Sequence, residues 1–161
     1  MKRRDPTETI MLDKTVADFS LPSTGDESFR LDEHAGSHLV IYFYPKDSTP
    51  GCTTQGQNFR DAYEEFREAN CEIFGISRDG IKSHENFKAR QGFPFDLLSD
   101  ADEKVCKQFG VIRMKNMYGR QVRGIERSTF VVDGKGVLRA EWRGVKVPGH
   151  VDEVLSFVRS L

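Results

Sequence analysis

Residues 39–44, Leu-Val-Ile-Tyr-Phe-Tyr, are apolar without a break. A strand with one wet face alternates, so this run predicts a strand covered on both faces. Further on the period changes. Phe59, Ala62, Tyr63 and Phe66 recur at helical spacing, while Arg60, Asp61, Glu64, Glu65, Arg67 and Glu68 take the other face. That predicts one helix of roughly 17 residues, about 25 Å long. Ile73-Phe-Gly-Ile76 then reads as the next strand. The resulting β–α–β unit should be a right-handed parallel crossover.

The rest of the chain follows the same logic. Residues 17–21 and 28–31 are two short extended pieces joined by the turn-rich Pro22-Ser-Thr-Gly-Asp26. A polar helix is expected over residues 81–90, a strand over 95–98 and a short helix over 102–109. Residues 128–132 and 137–142 flank Asp133-Gly-Lys-Gly136 as an antiparallel hairpin. Val151, Val154, Leu155 and Val158 mark a closing helix. The sum is α/β: a mixed central sheet flanked by helices, with an N-terminal β extension. With no linker or repeat, residues 1–161 read as one domain.

Net charge narrows the function. At −1 it gives no broad field for nucleic acid or an anionic membrane. Lys2-Arg3-Arg4 is the basic run, and residues 1–10 read as a solvated, mobile extension. No apolar segment approaches the roughly 18 residues of a membrane span, and no signal peptide is visible, which predicts a cytoplasmic protein. The three cysteines, Cys52, Cys71 and Cys106, are widely spaced, and none forms a C-x-x-C pair. That pattern is neither a disulfide framework nor a zinc site.

Cys52 stands apart because of where it falls. It follows the buried strand and opens the long helix, behind Ser48-Thr-Pro-Gly51. Ligands of such sheets sit beyond the carboxyl ends of parallel strands. Thr49 can cap the helix and Pro50 suits its first position. Gly51 lets a small ligand approach the backbone. Free N–H groups and the positive dipole end collect there, and thiols so placed ionise more readily than free cysteine. Ionisation alone gains about ten-fold or less, because a less basic thiolate is also a weaker nucleophile. A fast catalyst therefore needs donors aimed at the electrophile. Thr49 and the backbone near Gly51 and Cys52 are local candidates; a cation must come from elsewhere. The four histidines, His34, His38, His84 and His150, read as surface or structural residues, and the carboxylates do not form a catalytic pair.

Pro45-Lys-Asp-Ser-Thr49-Pro-Gly-Cys52 resembles the P-x-x-x-T-x-x-C signature of peroxiredoxins, and "FYPKDSTPGCTTQ" looks like their bacterioferritin-comigratory (PrxQ) branch. "FGISRD", "LLSDADEKVCKQFGV" and "GIERSTFVVDGKGV" match in order, so the likeness covers residues 12–160. It implies a thioredoxin-like fold and a monomer that reduces hydrogen peroxide and organic hydroperoxides without metal or organic cofactor. On that likeness Cys52 is the peroxidatic cysteine, oxidised to a sulfenic acid. Thr49 binds the peroxide, Pro45 shields the sulfur, Arg127 supports both sulfur and peroxide, and Gln55 orients that arginine.

The resolving cysteine of the family is missing. Five residues after Cys52 stands Gln57, and residues 81–91 hold no cysteine. Cys71 lies at the far end of the predicted helix, well beyond the roughly 7 Å that a disulfide allows between Cα atoms. Cys106 sits on an apolar face beside Val105 and Phe109. The expected chemistry is a one-cysteine cycle, with thioredoxin, glutaredoxin or a small thiol as external reductant. The first turn of the helix should unwind to expose the sulfenic acid, helped by Gly51 and Gly56. Two other readings remain: a thioredoxin-type disulfide oxidoreductase, against which the missing C-x-x-C argues, and a redox sensor on the same fold.

Overall fold

The computed structural model describes residues 9–161. The basic run at Lys2-Arg3-Arg4 lies outside the described residues. Of the expected terminal extension, Ile10 is described; it is buried, and its amide donates to the carbonyl of Gln108.

The apolar run becomes β3 (His38–Phe43), an interior strand of a seven-stranded sheet ordered β2-β1-β5-β4-β3-β8-β9. The other strands are β1 (Ser20–Ser23), β2 (Glu27–Arg30), β4 (Cys71–Ser77), β5 (Asp96–Ser99), β8 (Ser128–Val132) and β9 (Leu138–Arg143). β3, β4 and β5 run parallel, while β8 joins β3 antiparallel. The unbroken apolarity of β3 is explained by its two faces. Leu39, Ile41 and Phe43 enter one core, and Val40, Tyr42 and Tyr44 enter the other.

The helices divide between those cores. α1 (Pro50–Asp61), α2 (Tyr63–Glu68), α3 (Ile81–Gln91) and α5 (His150–Arg159) bury Phe59, Phe66, Phe87 and Val154 on the Tyr42 side. α4 (Lys104–Gln108) buries Val105 and Cys106 on the other side. The single long helix expected here is two. Ala62, at φ −98° and ψ 3°, leaves helical geometry between α1 and α2. The apolar stripe continues across the break, which is why periodicity alone reads through it.

Residues 110–127 supply an element that the pattern does not show. β6 (Ile112–Met117) and β7 (Arg120–Ile125) form a separate antiparallel hairpin. Neither of its faces is buried over most of its length, so no alternation of apolar and polar residues is required.

Gly75 is where the packing is least tolerant. A Cβ there would stand 2.8 Å from Cζ of Tyr42 and 2.9 Å from Cδ2 of Leu97. Both side chains are buried and cannot give way. Gly75→Ala should therefore cost about 1–3 kcal/mol in urea unfolding. An unchanged midpoint would contradict this packing.

Candidate active site

β3 ends at Phe43, and the chain turns through residues 44–49 before α1 begins. Thr49 is the N-cap residue by backbone, extended at φ −85° and ψ 154°, and Pro50 takes the first helical position as expected. The expected side-chain cap is not made. The Thr49 hydroxyl instead donates to the carbonyl of Lys46 at 2.8 Å. It thereby closes the loop on itself and leaves the first-turn N–H groups of α1 without a side-chain acceptor.

Cys52 lies in that first turn with 2% of its surface exposed. Its sulfur meets Arg127, whose Nη2 stands 3.4 Å away. Nη1 of the same guanidinium donates to Oε1 of Gln55 at 2.6 Å, one helical turn beyond the cysteine. Gly51 makes room for this approach, since a Cβ there would lie 3.1 Å from Nη2. Arg127 sits between β7 and β8, so the edge of the hairpin aims it. Four residues picked out in the sequence, Gly51, Cys52, Gln55 and Arg127, thus meet around one sulfur. Pro45 is half-buried on the preceding loop.

Two further groups belong to this neighbourhood and carry no sequence signal. Tyr42 is buried on β3, and its hydroxyl finds no partner among the described residues. Burial, then the negative charge of Cys52 and Asp47, pushes its pKa well above the usual tyrosine value, so it stays protonated. Lys115 of β6 donates its ammonium to the carbonyl of Ile125. Burial and then the charge of Arg127 lower its pKa, partly offset by Glu126 and Cys52.

The loop carrying Pro45 and Thr49 is pinned from behind. Asp47 is buried and accepts from the Tyr44 hydroxyl at 2.6 Å and the Ser83 hydroxyl at 2.8 Å. Its Oδ2 also lies 2.7 Å from Nδ1 of His84, while Nε2 of His84 faces the Leu98 carbonyl at 2.8 Å. The Asp47 amide donates to Asp79 at 2.9 Å. His84, expected on a polar helix, is fully buried and structural. Among the described residues Asp47, Asp79 and His84 bring ligand-type atoms within 4.8 Å of one another. Those atoms are already engaged in the hydrogen bonds just given, so the cluster reads as a latch.

The other two thiols are placed elsewhere. Cys71 pairs in register with His38, at the opposite end of β3 from the active-site loop. Five strand steps separate those ends, about 16 Å. Burial pushes its pKa up to about 12. Cys106 belongs to the core on the far face of the sheet, and burial followed by the Asp100 carboxylate raises its pKa strongly. Neither is a thiolate near neutral pH.

The sequence pattern of the AhpC/TSA family matches residues 12–141. The chain belongs to that family. Peroxiredoxin Bcp of Xanthomonas campestris is 53% identical over 152 residues, covering 93% of this chain and 95% of that protein. Peroxiredoxin Bcp of Bacillus subtilis is 41% identical, covering 95% and 98%. Among solved structures, Xanthomonas campestris peroxiredoxin Q superposes with a TM-score of 0.84 at 54% identity, over 88% of this chain and 90% of that one. A Xylella fastidiosa PrxQ reaches a TM-score of 0.90 at 41% identity, over 95% and 98%. The resemblance read from the motifs therefore holds, with the thioredoxin-like fold. This peroxiredoxin is a thiol-dependent peroxidase of the Bcp/PrxQ branch.

The latch yields a direct test. Asp47→Ala strands a buried His84 and two hydroxyls, and should destabilise the peroxiredoxin by about 3–5 kcal/mol in chemical unfolding. A loss within about 0.5 kcal/mol, the usual scatter of surface changes, would show the network to be incidental.

Proposed function

We propose that Cys52 is the peroxidatic nucleophile of a one-cysteine cycle. The observation that carries this reading is the Arg127 guanidinium 3.4 Å from a sulfur that opens a helix. Both the cation and the helix end favour negative charge on sulfur. Sγ attacks the terminal oxygen of the hydroperoxide. The O–O bond breaks, the alkoxide or hydroxide leaves and takes a proton from water, and Cys52 becomes a sulfenic acid. Arg127 donates to the oxygens as charge moves onto the leaving group, and Gln55 holds its fork in place. The Thr49 proton is committed to Lys46, so its lone pairs face the substrate and accept the hydroperoxide O–H. Pro45 covers the loop side and offers no N–H.

Alkyl peroxide reduction is the activity of the Xanthomonas campestris bacterioferritin comigratory protein, 53% identical to this chain. It is the substrate class we assign here, beside hydrogen peroxide. An external thiol then attacks the sulfenic sulfur and releases water. Thioredoxin, glutaredoxin or a small thiol fits that step, acting on a cytoplasmic monomer. Among the described residues no helix is long and apolar enough to cross a membrane.

Turnover needs the buried sulfur to come out, and the structure limits how far α1 can open. Gly56 lies flush against Phe93, where a Cβ would come 2.3 Å from Cζ. Gln57 Nε2 donates to Gln91 at 2.9 Å, and Arg60 donates to the Gln91 carbonyl at 2.8 Å. We read these contacts as the anchor at which unwinding stops, just before Gly56.

Peroxide consumption with a thiol donor tests the assignment. Cys52→Ser should abolish it, Arg127→Gln should reduce kcat/KM by about 10²-fold, and Cys71→Ser and Cys106→Ser should keep it. Non-reducing mass spectrometry of peroxide-treated protein should show no internal disulfide; a majority Cys52–Cys71 or Cys52–Cys106 link overturns the one-cysteine cycle. Oxidation should speed hydrogen exchange at the amides of residues 53–56, whose acceptors lie in the first turn, and leave residues 60 and 61, which bond back to Gly56 and Gln57, unchanged. Equal exchange before and after oxidation would count against local unwinding.

A further inference from the structure

The β6–β7 hairpin stands outside the main sheet and beside the site. Of the seven exposed large apolar side chains among the described residues, four lie on it: Met114, Met117, Tyr118 and Val122. Tyr118 is 101% exposed at the tip. Its φ is +52°, followed by Gly119 at +78°, so the turn holds a bulky aromatic in the left-handed region. That conformation is strained for such a residue, and nothing in the fold uses its ring. Exposed apolar side chains gathered on one element mark an interaction surface.

Charge and register complete the picture. Residues 112–125 include Arg113, Lys115, Arg120 and Arg123 and no carboxylate. Arg113 and Arg123 meet Glu126 and Glu103 at the hairpin's base. Arg120 has no ion-pair partner among the described residues. Lys115 pairs across the ladder with Val122, and Met117 with Arg120. Side chains two apart share a face, so Val122, Met117 and Arg120 lie on the face of Lys115. The Lys115 ammonium donates to the carbonyl of Ile125, two residues before Arg127. An apolar and basic surface thus runs from the hairpin tip toward the reacting sulfur.

We infer that the β6–β7 hairpin is the docking surface for the reductant, and that the reductant is a dithiol protein with an acidic, apolar rim around its thiols. The inference rests on the one-cysteine reading above. Cys52 holds the one sulfur placed for the chemistry, so both reducing equivalents must come from outside. One partner thiolate attacks the sulfenic sulfur and hydroxide leaves as water, giving a mixed disulfide. The partner's second thiol breaks that bond, returning Cys52 as a thiol and the partner as a disulfide. A small thiol has no surface to bury against Met117, Tyr118 and Val122, whereas a protein face does. The positive charge selects an acidic one and speeds its approach.

The test uses the full chain and a Met117→Ser, Tyr118→Ser, Arg120→Glu triple variant. The probe is a bacterial thioredoxin kept reduced by its reductase, with dithiothreitol as the control donor. The variant should keep dithiothreitol-driven peroxide reduction and raise the KM for thioredoxin by about ten-fold or more. The wild-type KM should also rise with ionic strength. An unchanged KM overturns the docking surface. So does a wild-type protein turned over rapidly by glutathione but not by thioredoxin. So does sedimentation showing a wild-type dimer that the variant dissolves, because the hairpin would then serve a second copy of this chain. Loss of peroxide reduction by the wild type with every donor would instead sink the one-cysteine peroxidase reading itself.

Discussion

Cys52 and Arg127 stand 75 positions apart in the chain, yet one guanidinium nitrogen lies 3.4 Å from the sulfur. A half-buried cation and a buried sulfur are held together only if the elements that carry them cannot drift. The central sheet supplies that rigidity. β3 delivers the loop and α1 on one side, and its antiparallel neighbour β8 begins one residue after Arg127. Phe43 and Ser128 face each other in register, which fixes the offset between the two chain segments. Gly51 and Gln55 then complete the contact, the first by lacking a side chain and the second by accepting the other guanidinium nitrogen.

The surroundings sort the three thiols by environment. Each is almost wholly enclosed, so exposure does not separate them. What separates them is the charge nearby. Cys52 faces a guanidinium and a helix's first turn. Cys71 and Cys106 face apolar packing and carboxylates, which hold them as neutral thiols. The sheet also puts Cys106 on the other face, and strand register puts Cys71 at the wrong end.

Much of this was legible in the chain. The unbroken run at residues 39–44 announced a central strand, and Thr49-Pro50 announced the start of α1. The thiol's place followed from those two. What stayed hidden depends on contacts between distant segments. Arg127 looks like any other arginine until β8 pairs with β3. Asp47 and His84 are 37 positions apart, and their burial has no periodic signature. The hairpin at residues 112–125 escaped because a strand with no buried face needs no alternation. The break at Ala62 escaped for the opposite reason: the apolar stripe that defines the helix runs straight across it. The likeness to peroxiredoxins supplied Arg127 and Gln55 where spacing could not.

The Asp47 network fastens the loop to the turn after β4, to α3 and, through His84, to β5, and none of its hydrogen bonds reaches α1. Thr49 closes on Lys46 within the same loop. When the first turn of α1 opens, half of the cradle therefore stays assembled. On the proposed cycle, each catalytic round would end with one short stretch of chain winding back onto a waiting template, and the resetting of the enzyme would be a local event that leaves the rest of the fold at rest.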